Sequence, residues 1–291
     1  MTGDTMTPRG SILRRLLCLA PPARRWFAEI DQMASDARSW RARQSGSAAD
    51  QQAVLELMAC LAPVRAVGVD KVRIGGLGDG GYVMLDDFAG VCGALSLGIG
   101  PDCSWDIAIA ERGIDVHQYD HSVAGPPEPH ARFRFFPTAI GGQSGAGCAT
   151  LGDTVAKLPP AVDGRLVLKI DIEGAEWDAL DAATADDLSR FSQIVGEFHG
   201  FADVLDAHWR QRAERVLGKI LAGFALVHVH ANNYGAFDVV ANVAVADIVE
   251  LSFASRAMYR FEATDEVFPT ALDRPNLKEK PDIILGAMRF R

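Results

Sequence analysis

From residue 70 onward the apolar positions form short β-branched runs alternating with stretches whose apolar residues recur at steps of three and four. Runs of four to eight apolar residues bounded by glycines read as buried strands, and the longer periodic stretches read as helices. "GALSLGIG" (93–100) predicts a strand running into a glycine turn, and "SWDIAIAERG" predicts a helix closed by Gly113. "IDVHQYD" and "RFRFFPTAI" predict the second and third strands, "RLVLKID" the fourth, "AEWDALDAA" its following helix and "SQIVGEFHG" the fifth strand. A long helix over 203–222 precedes two more strands, "FALVHVHANN" and "DIVELSFAS". Strands alternating with helices make a mostly parallel sheet covered on both faces, so the expected fold is α/β and doubly wound with seven strands.

The first 65 residues have a different rhythm. Ile12, Leu13, Leu16 and Leu17 beside Arg14 and Arg15 suggest an amphipathic helix broken by Pro21 and Pro22. Trp26, Ile30, Met33, Ala37 and Trp40 mark the face of a second helix, "RQSGSAAD" reads as a linker, and Ala49 to Leu61 predicts a third helix ending before Pro63. The expected division is a helical extension over 1–65 and one αβ domain over 66–291. The first helix can pack on its own domain, on a partner, or peripherally on a membrane.

The charge of −9 argues against nucleic acid as a partner, and the eight arginines and five acids of residues 1–50 set that end apart. The five cysteines, Cys18, Cys60, Cys92, Cys103 and Cys148, are scattered without a C-x-x-C pair, which predicts a reducing, cytoplasmic setting. Arginines interrupt the first apolar run, which argues against a secretory signal.

Ligands of open αβ sheets gather beyond the carboxyl ends of the strands. Gly98 and Gly100 end the first strand and Asp120 ends the second, 22 residues on from Gly98, near the spacing of a ribose-gripping acid. Cys103 stands where a third glycine would complete a dinucleotide loop, and Asp102 in that turn would repel phosphate and suit a cationic ligand. Those positions point to S-adenosylmethionine, with Asp79 of "GLGDGGYVM" on a lid, a cofactor-side wall or a hairpin turn. A glycine turn that only tightens a strand-to-helix junction is the plainer alternative.

"KIDIEGAEW" resembles the signature of the FkbM-type methyltransferases, whose fourth strand ends in D-x-E-G-A-E. "RIGGLGDGGYVM", "SLGIGPDCSWDIAIAERG", "QIVGEFHGF", "HVHANNYG" and "FPTALDRPN" are similar to blocks of an FkbM-like subgroup, so the resemblance spans roughly residues 70–290. It implies a Rossmann-like class I fold and S-adenosylmethionine-dependent O-methylation of a hydroxyl on a sugar, glycan or natural product. This chain departs from the family pattern at Ser96, where an acid is usual, and at Asp120, where a glutamate is usual.

A second constellation stands apart from the resemblance: Asp171 and Glu173, Glu197 and His199, His228 and His230, then Asn232 and Asn233. Residues two apart on a strand share a face, so the first three pairs can each present two ligands. Asp171, Glu173, Glu197, His199, His228, His230 and Asn232 are therefore candidate ligands of Mn, Mg, Fe or Zn, with Asp171 and His199 the candidate catalytic groups. Each histidine taken singly can instead be a satisfied core residue. The acids in the first turn after the fourth strand, Glu176 and Asp178, are expected to complement the helix dipole. A metal-dependent hydrolase or oxidoreductase, and a non-catalytic module on the same fold, are the rival readings.

Overall fold

The computed structural model describes residues 46–158 and 165–289. The two helices expected before residue 46 lie outside the described residues. The seven predicted strands form one sheet: β1 (Gly93–Leu97), β2 (Val116–Tyr119), β3 (Phe133–Phe136), β4 (Leu166–Ile170), β5 (Phe191–His199), β6 (Phe224–Ala231) and β7 (Ile248–Ser255). Their spatial order is β6-β7-β5-β4-β1-β2-β3. β7 runs antiparallel to both neighbours and the remaining pairs are parallel. This is the doubly wound sheet that the apolar pattern predicts, in the Rossmann-like form that the resemblance implies. Six carboxyl ends share one edge with the amino end of β7.

Burial on both faces explains why the strands read as continuous apolar runs. One face carries Ala94, Val116, Val167 and Val195 against Trp105, Ile109, Tyr82 and Met84. The other carries Leu95, Leu97, Leu168, Ile170 and Phe198 against Trp177, Leu180, Leu217 and Ile220. The covering helices are α2 (Ser104–Glu111) on the first face, and α4 (Glu176–Ala182) and α6 (Ala207–Gly223) on the second. α6 starts four residues later than expected because Asp206 caps it, accepting from the amides of His208 (2.8 Å) and Trp209 (3.0 Å).

α1 (Ala48–Ala59) opens with a capping box between Ser47 and Asp50 and buries Val54, Leu57 and Met58. Those residues belong to the same apolar core as β4 and β5, so this helix of the extension packs as part of the αβ unit. α3 (Leu151–Val155) and α5 (Ala185–Ser189) begin with the same Thr–Asp capping box.

Three antiparallel pairings escape the period-based reading. Val64–Ala66 pairs with Phe261–Ala263, and Lys71–Ile74 pairs with Tyr82–Leu85. Between β6 and β7, Phe237–Val240 pairs with Val243–Ala246 around Ala241 (φ 48°) and Asn242 (φ 66°). Two successive left-handed residues make the primed turn that matches strand twist.

Candidate active site at the carboxyl edge of the sheet

The loops leaving β1 and β4 touch. Gly98 has φ +79°, and a Cβ on it would fall 1.7 Å from the Asp171 carbonyl oxygen. Its amide donates to the Tyr119 carbonyl at 2.8 Å, and the Asp171 amide donates to the Leu97 carbonyl at 2.8 Å. Lys169, 2% exposed in the middle of the sheet, donates from Nζ to the Gly98 carbonyl at 2.5 Å. The same ammonium lies 3.8 Å from Asp171 Oδ2 and 5.7 Å from the Tyr82 ring centroid. A cation buried in this way ties the glycine turn to the acid at the neighbouring strand end.

Asp120 occupies the end of β2 as expected, with its acceptor capacity spent locally. Oδ2 accepts from the amides of Ile99 (3.0 Å) and Gly100 (2.9 Å), and Oδ1 accepts from the amide (2.6 Å) and hydroxyl (2.7 Å) of Ser122. Burial raises its pKa, but these hydrogen bonds outweigh burial and leave it below the ordinary carboxylate range. The aspartate clamps the glycine turn to β2, so a ribose diol would have to displace bonds that hold the turn. Asp102 accepts from the Ser104 amide at 2.8 Å. Ser104 Oγ in turn accepts from the Gly76 amide (2.8 Å) and donates to the Gly80 carbonyl (3.2 Å), which docks the 75–81 turn beside the β1 loop. The "GLGDGGYVM" segment is thus a hairpin whose turn forms a wall of the site.

Asp171, Glu197 and His199 converge from β4 and β5, each presenting one ligand atom within 4.8 Å of the other two. Tyr82 donates its phenol to Asp171 Oδ2 at 3.0 Å. Asn232 does not point a ligand atom inward: its amide nitrogen donates to Glu197 and its oxygen accepts from the Tyr234 amide at 2.8 Å. It orients the glutamate. Glu197 is 5% exposed, and burial followed by the Asp171 and Glu250 charges pushes its carboxyl well above the ordinary range. His199 Nε2 lies 3.6 Å from Glu197 and 3.7 Å from Glu173, while Nδ1 lies 3.2 Å from Glu176. Burial opposes protonation of this ring, but Glu176, Glu197 and Glu173 outweigh it and raise the pKa to about 10. Glu173 (φ 55°) projects its side chain outward, 89% exposed, at the rim.

Glu176 does more than complement a helix dipole. It is fully buried and accepts from the amides of Ile172 (2.9 Å) and Gly174 (3.2 Å), fixing the D-x-E-G turn while bracing His199. Trp177, beside it, donates to the His199 carbonyl at 2.7 Å and packs edge-on to Phe198, Phe201 and Trp209.

The two remaining histidines depart from the expected ligand role because both nitrogens of each are engaged. His228 Nε2 meets Asp273 at 2.7 Å and Nδ1 meets Lys71 Nζ at 3.3 Å. Burial holds His228 below its ordinary value, so a neutral ring that accepts from Lys71 and donates to Asp273 satisfies every contact. His230 lies between Glu250 (3.1 Å) and Asp282 (3.0 Å). Burial disfavours its charge, yet the two carboxylates raise its pKa to about 10.

These pairs fasten the 264–289 segment to the sheet edge. A histidine near 6.5 in the unfolded chain and near 10 in the fold contributes stability that is full below pH ~6.5 and is lost as pH rises through ~10. Denaturant titrations across that range are expected to show stability falling with pH, by up to ~1.4 kcal/mol per unit from this residue. His230→Gln is expected to flatten the slope.

Pattern reading passed over three other members of the site. Glu250 of β7 sits in register with Glu197 and His230, and Asn276 donates to it at 2.6 Å and to Asp79 at 3.2 Å. Lys169 and Glu250 were detectable as single charges inside apolar runs. Asn276 had no such signal. Burial, opposed by the Asn276 hydrogen bond, raises the pKa of Asp79. Acids thus cluster at the strand ends, and Asn276 of the C-terminal segment bridges Glu250 and the Asp79 turn.

No family model matches the chain, and no curated protein matches it. Solved structures similar to it include a proposed RNA methyltransferase of Pyrococcus horikoshii, at 12% identity and a TM-score of 0.32 over 57% of this chain and 76% of that one. A proposed S-adenosylmethionine-dependent methyltransferase of Listeria monocytogenes aligns at 14% identity and a TM-score of 0.35, over 60% of this chain and 94% of that one. No helix among the described residues is long and apolar enough to cross a membrane.

Proposed function

We propose that the protein is an S-adenosylmethionine-dependent O-methyltransferase acting on a hydroxyl of a sugar, glycan or natural product, with a divalent cation at Asp171, Glu197 and His199. The observation that carries this reading is the contact between the Gly98–Gly100 turn and Asp171. It sets the place where a cofactor would lie on a doubly wound sheet against a set of convergent oxygen and nitrogen donors.

The residues present fit both groups. Asp102 and Asp171 flank the turn with negative charge that suits a sulfonium and an ammonium, and Gly100 leaves open space above its Cα. Two carboxylates and one imidazole suit Mn, Fe or Zn, or Mg supported by further oxygens. When bound, S-adenosylmethionine supplies an activated methyl and the cation lowers the pKa of the acceptor hydroxyl.

The chain's own residues align and deprotonate. Asp171, held by Tyr82 and Lys169, accepts the hydrogen bond of the incoming hydroxyl and fixes its direction. His199, with its pKa raised to about 10, would give up its proton on taking up the cation and then has no free lone pair, which leaves Asp171 as the acceptor of the hydroxyl proton. Methyl transfer then rests mainly on alignment.

Calorimetric titration of chelator-treated protein with S-adenosylmethionine and with NAD, each with and without Mn, tests the proposal. Saturable S-adenosylmethionine binding and no NAD binding are expected. Cation binding without S-adenosylmethionine binding would overturn it and favour a metal-dependent hydrolase built on the same three donors.

A further inference from the structure

Residues 264–289 carry no helix or strand, yet side chains tie them to the sheet edge, and two of the ties meet at 276–278. On one side Asn233, just past β6, donates from Nδ2 to the Leu277 carbonyl at 2.9 Å and accepts from the Leu277 amide at 2.7 Å. On the other side lies the 75–81 hairpin turn. A Cβ added at Gly78 would fall 3.6 Å from the Asn276 carbonyl oxygen and 3.7 Å from Lys278 Cε. Between the two, buried Asn276 donates from Nδ2 to Glu250 Oε1 at 2.6 Å and to Asp79 Oδ1 at 3.2 Å.

The residue type suits the place. The amide nitrogen of asparagine carries two protons, one for each carboxylate, whereas an aspartate of the same shape would set a third acid beside two. Glu250 is held in turn, since its other oxygen meets His230 at 3.1 Å and His230 meets Asp282 at 3.0 Å. A chain of contacts through Asp282, His230, Glu250, Asn276 and Asp79 therefore joins the C-terminal segment to the hairpin. That hairpin is the one Ser104 docks beside the β1 loop, through the Gly76 amide and the Gly80 carbonyl.

We propose that Asn276 is a positioning residue that couples S-adenosylmethionine binding at the glycine turn to the order of residues 273–282, an inference that rests on the cofactor reading above. Its action is indirect: it fixes Asp79, and through Asp79 the hairpin turn beside the cofactor's place. Such coupling is reciprocal, so a ligand that steadies the hairpin steadies 273–282, and loosening 273–282 weakens the ligand.

The test is hydrogen exchange of the full chain with and without S-adenosylmethionine, alongside S-adenosylmethionine and Mn affinities of the wild type, Asn276→Asp and Asn276→Gln. In the wild type, S-adenosylmethionine is expected to slow exchange in both 75–81 and 273–282. Asn276→Asp keeps the shape and removes the donor, so it should bind S-adenosylmethionine roughly 20-fold more weakly and lose the protection of 273–282. It should hold Mn no more weakly than the wild type, a split that general unfolding would not produce. Asn276→Gln retains the donor and should recover part of the lost affinity. Slow exchange in β4 verifies that each variant is folded, and where one is not, the wild-type exchange decides by itself. Saturable binding that leaves 273–282 unprotected, or full affinity in Asn276→Asp, would overturn the coupling and leave the cofactor reading standing. No S-adenosylmethionine binding by the wild type would overturn both.

Discussion

Gly98→Ala is expected to be among the most damaging single substitutions in this protein, costing more than ~4 kcal/mol of stability. The residue has φ +79°, and its new methyl would lie 1.7 Å from a backbone oxygen of Asp171 rather than from the end of a movable side chain. The loops after β1 and β4 would have to separate, taking with them the Lys169 bond to Gly98 and the position of Asp171. Gly100→Ala is the control. Its φ of +52° is also left-handed, but nothing lies within 4 Å of an added Cβ, so ~1 kcal/mol is expected. Guanidinium denaturation of the two variants separates the close approach from the backbone preference. Similar losses for both would show that the two loops are not in obligatory contact.

Asp171→Ala and Glu197→Ala are each expected to weaken Mn binding by at least ~100-fold, with Asn232→Ala losing ~10-fold through a misdirected Glu197. Manganese titration followed by electron paramagnetic resonance reads this without a methyl acceptor. His228→Asn is expected to leave Mn affinity unchanged while lowering stability, because that ring joins Lys71 to Asp273 and faces no open ligand position. Loss of Mn binding in His228→Asn would return the histidine to the ligand set.

The seven strands were readable because residues buried on both faces leave apolar runs bounded by glycine, and Gly93–Leu97 and Leu166–Ile170 have that form. Phe237–Ala246 was not, since a ribbon apolar on both faces has no alternation to mark it. Asp171, Glu197 and His199 were readable because they end buried strands at the edge where ligands collect. His228 and His230 carry the same two-residue spacing, but their partners Asp273 and Asp282 come from an irregular segment without periodicity. Asp120 stands where a ribose acid would stand, yet only the fold reveals that four donors already occupy it.

The proposed function requires that the glycine turn and the acid–histidine set form one site. It is tested most directly by the nuclear relaxation of S-adenosylmethionine carrying a ¹³C-methyl group, bound to the protein with and without Mn. Strong Mn-dependent broadening of the methyl signal, abolished by Glu197→Ala while the cofactor still binds, is the predicted result. A bound methyl signal that Mn leaves sharp would place the two groups apart and contradict the account.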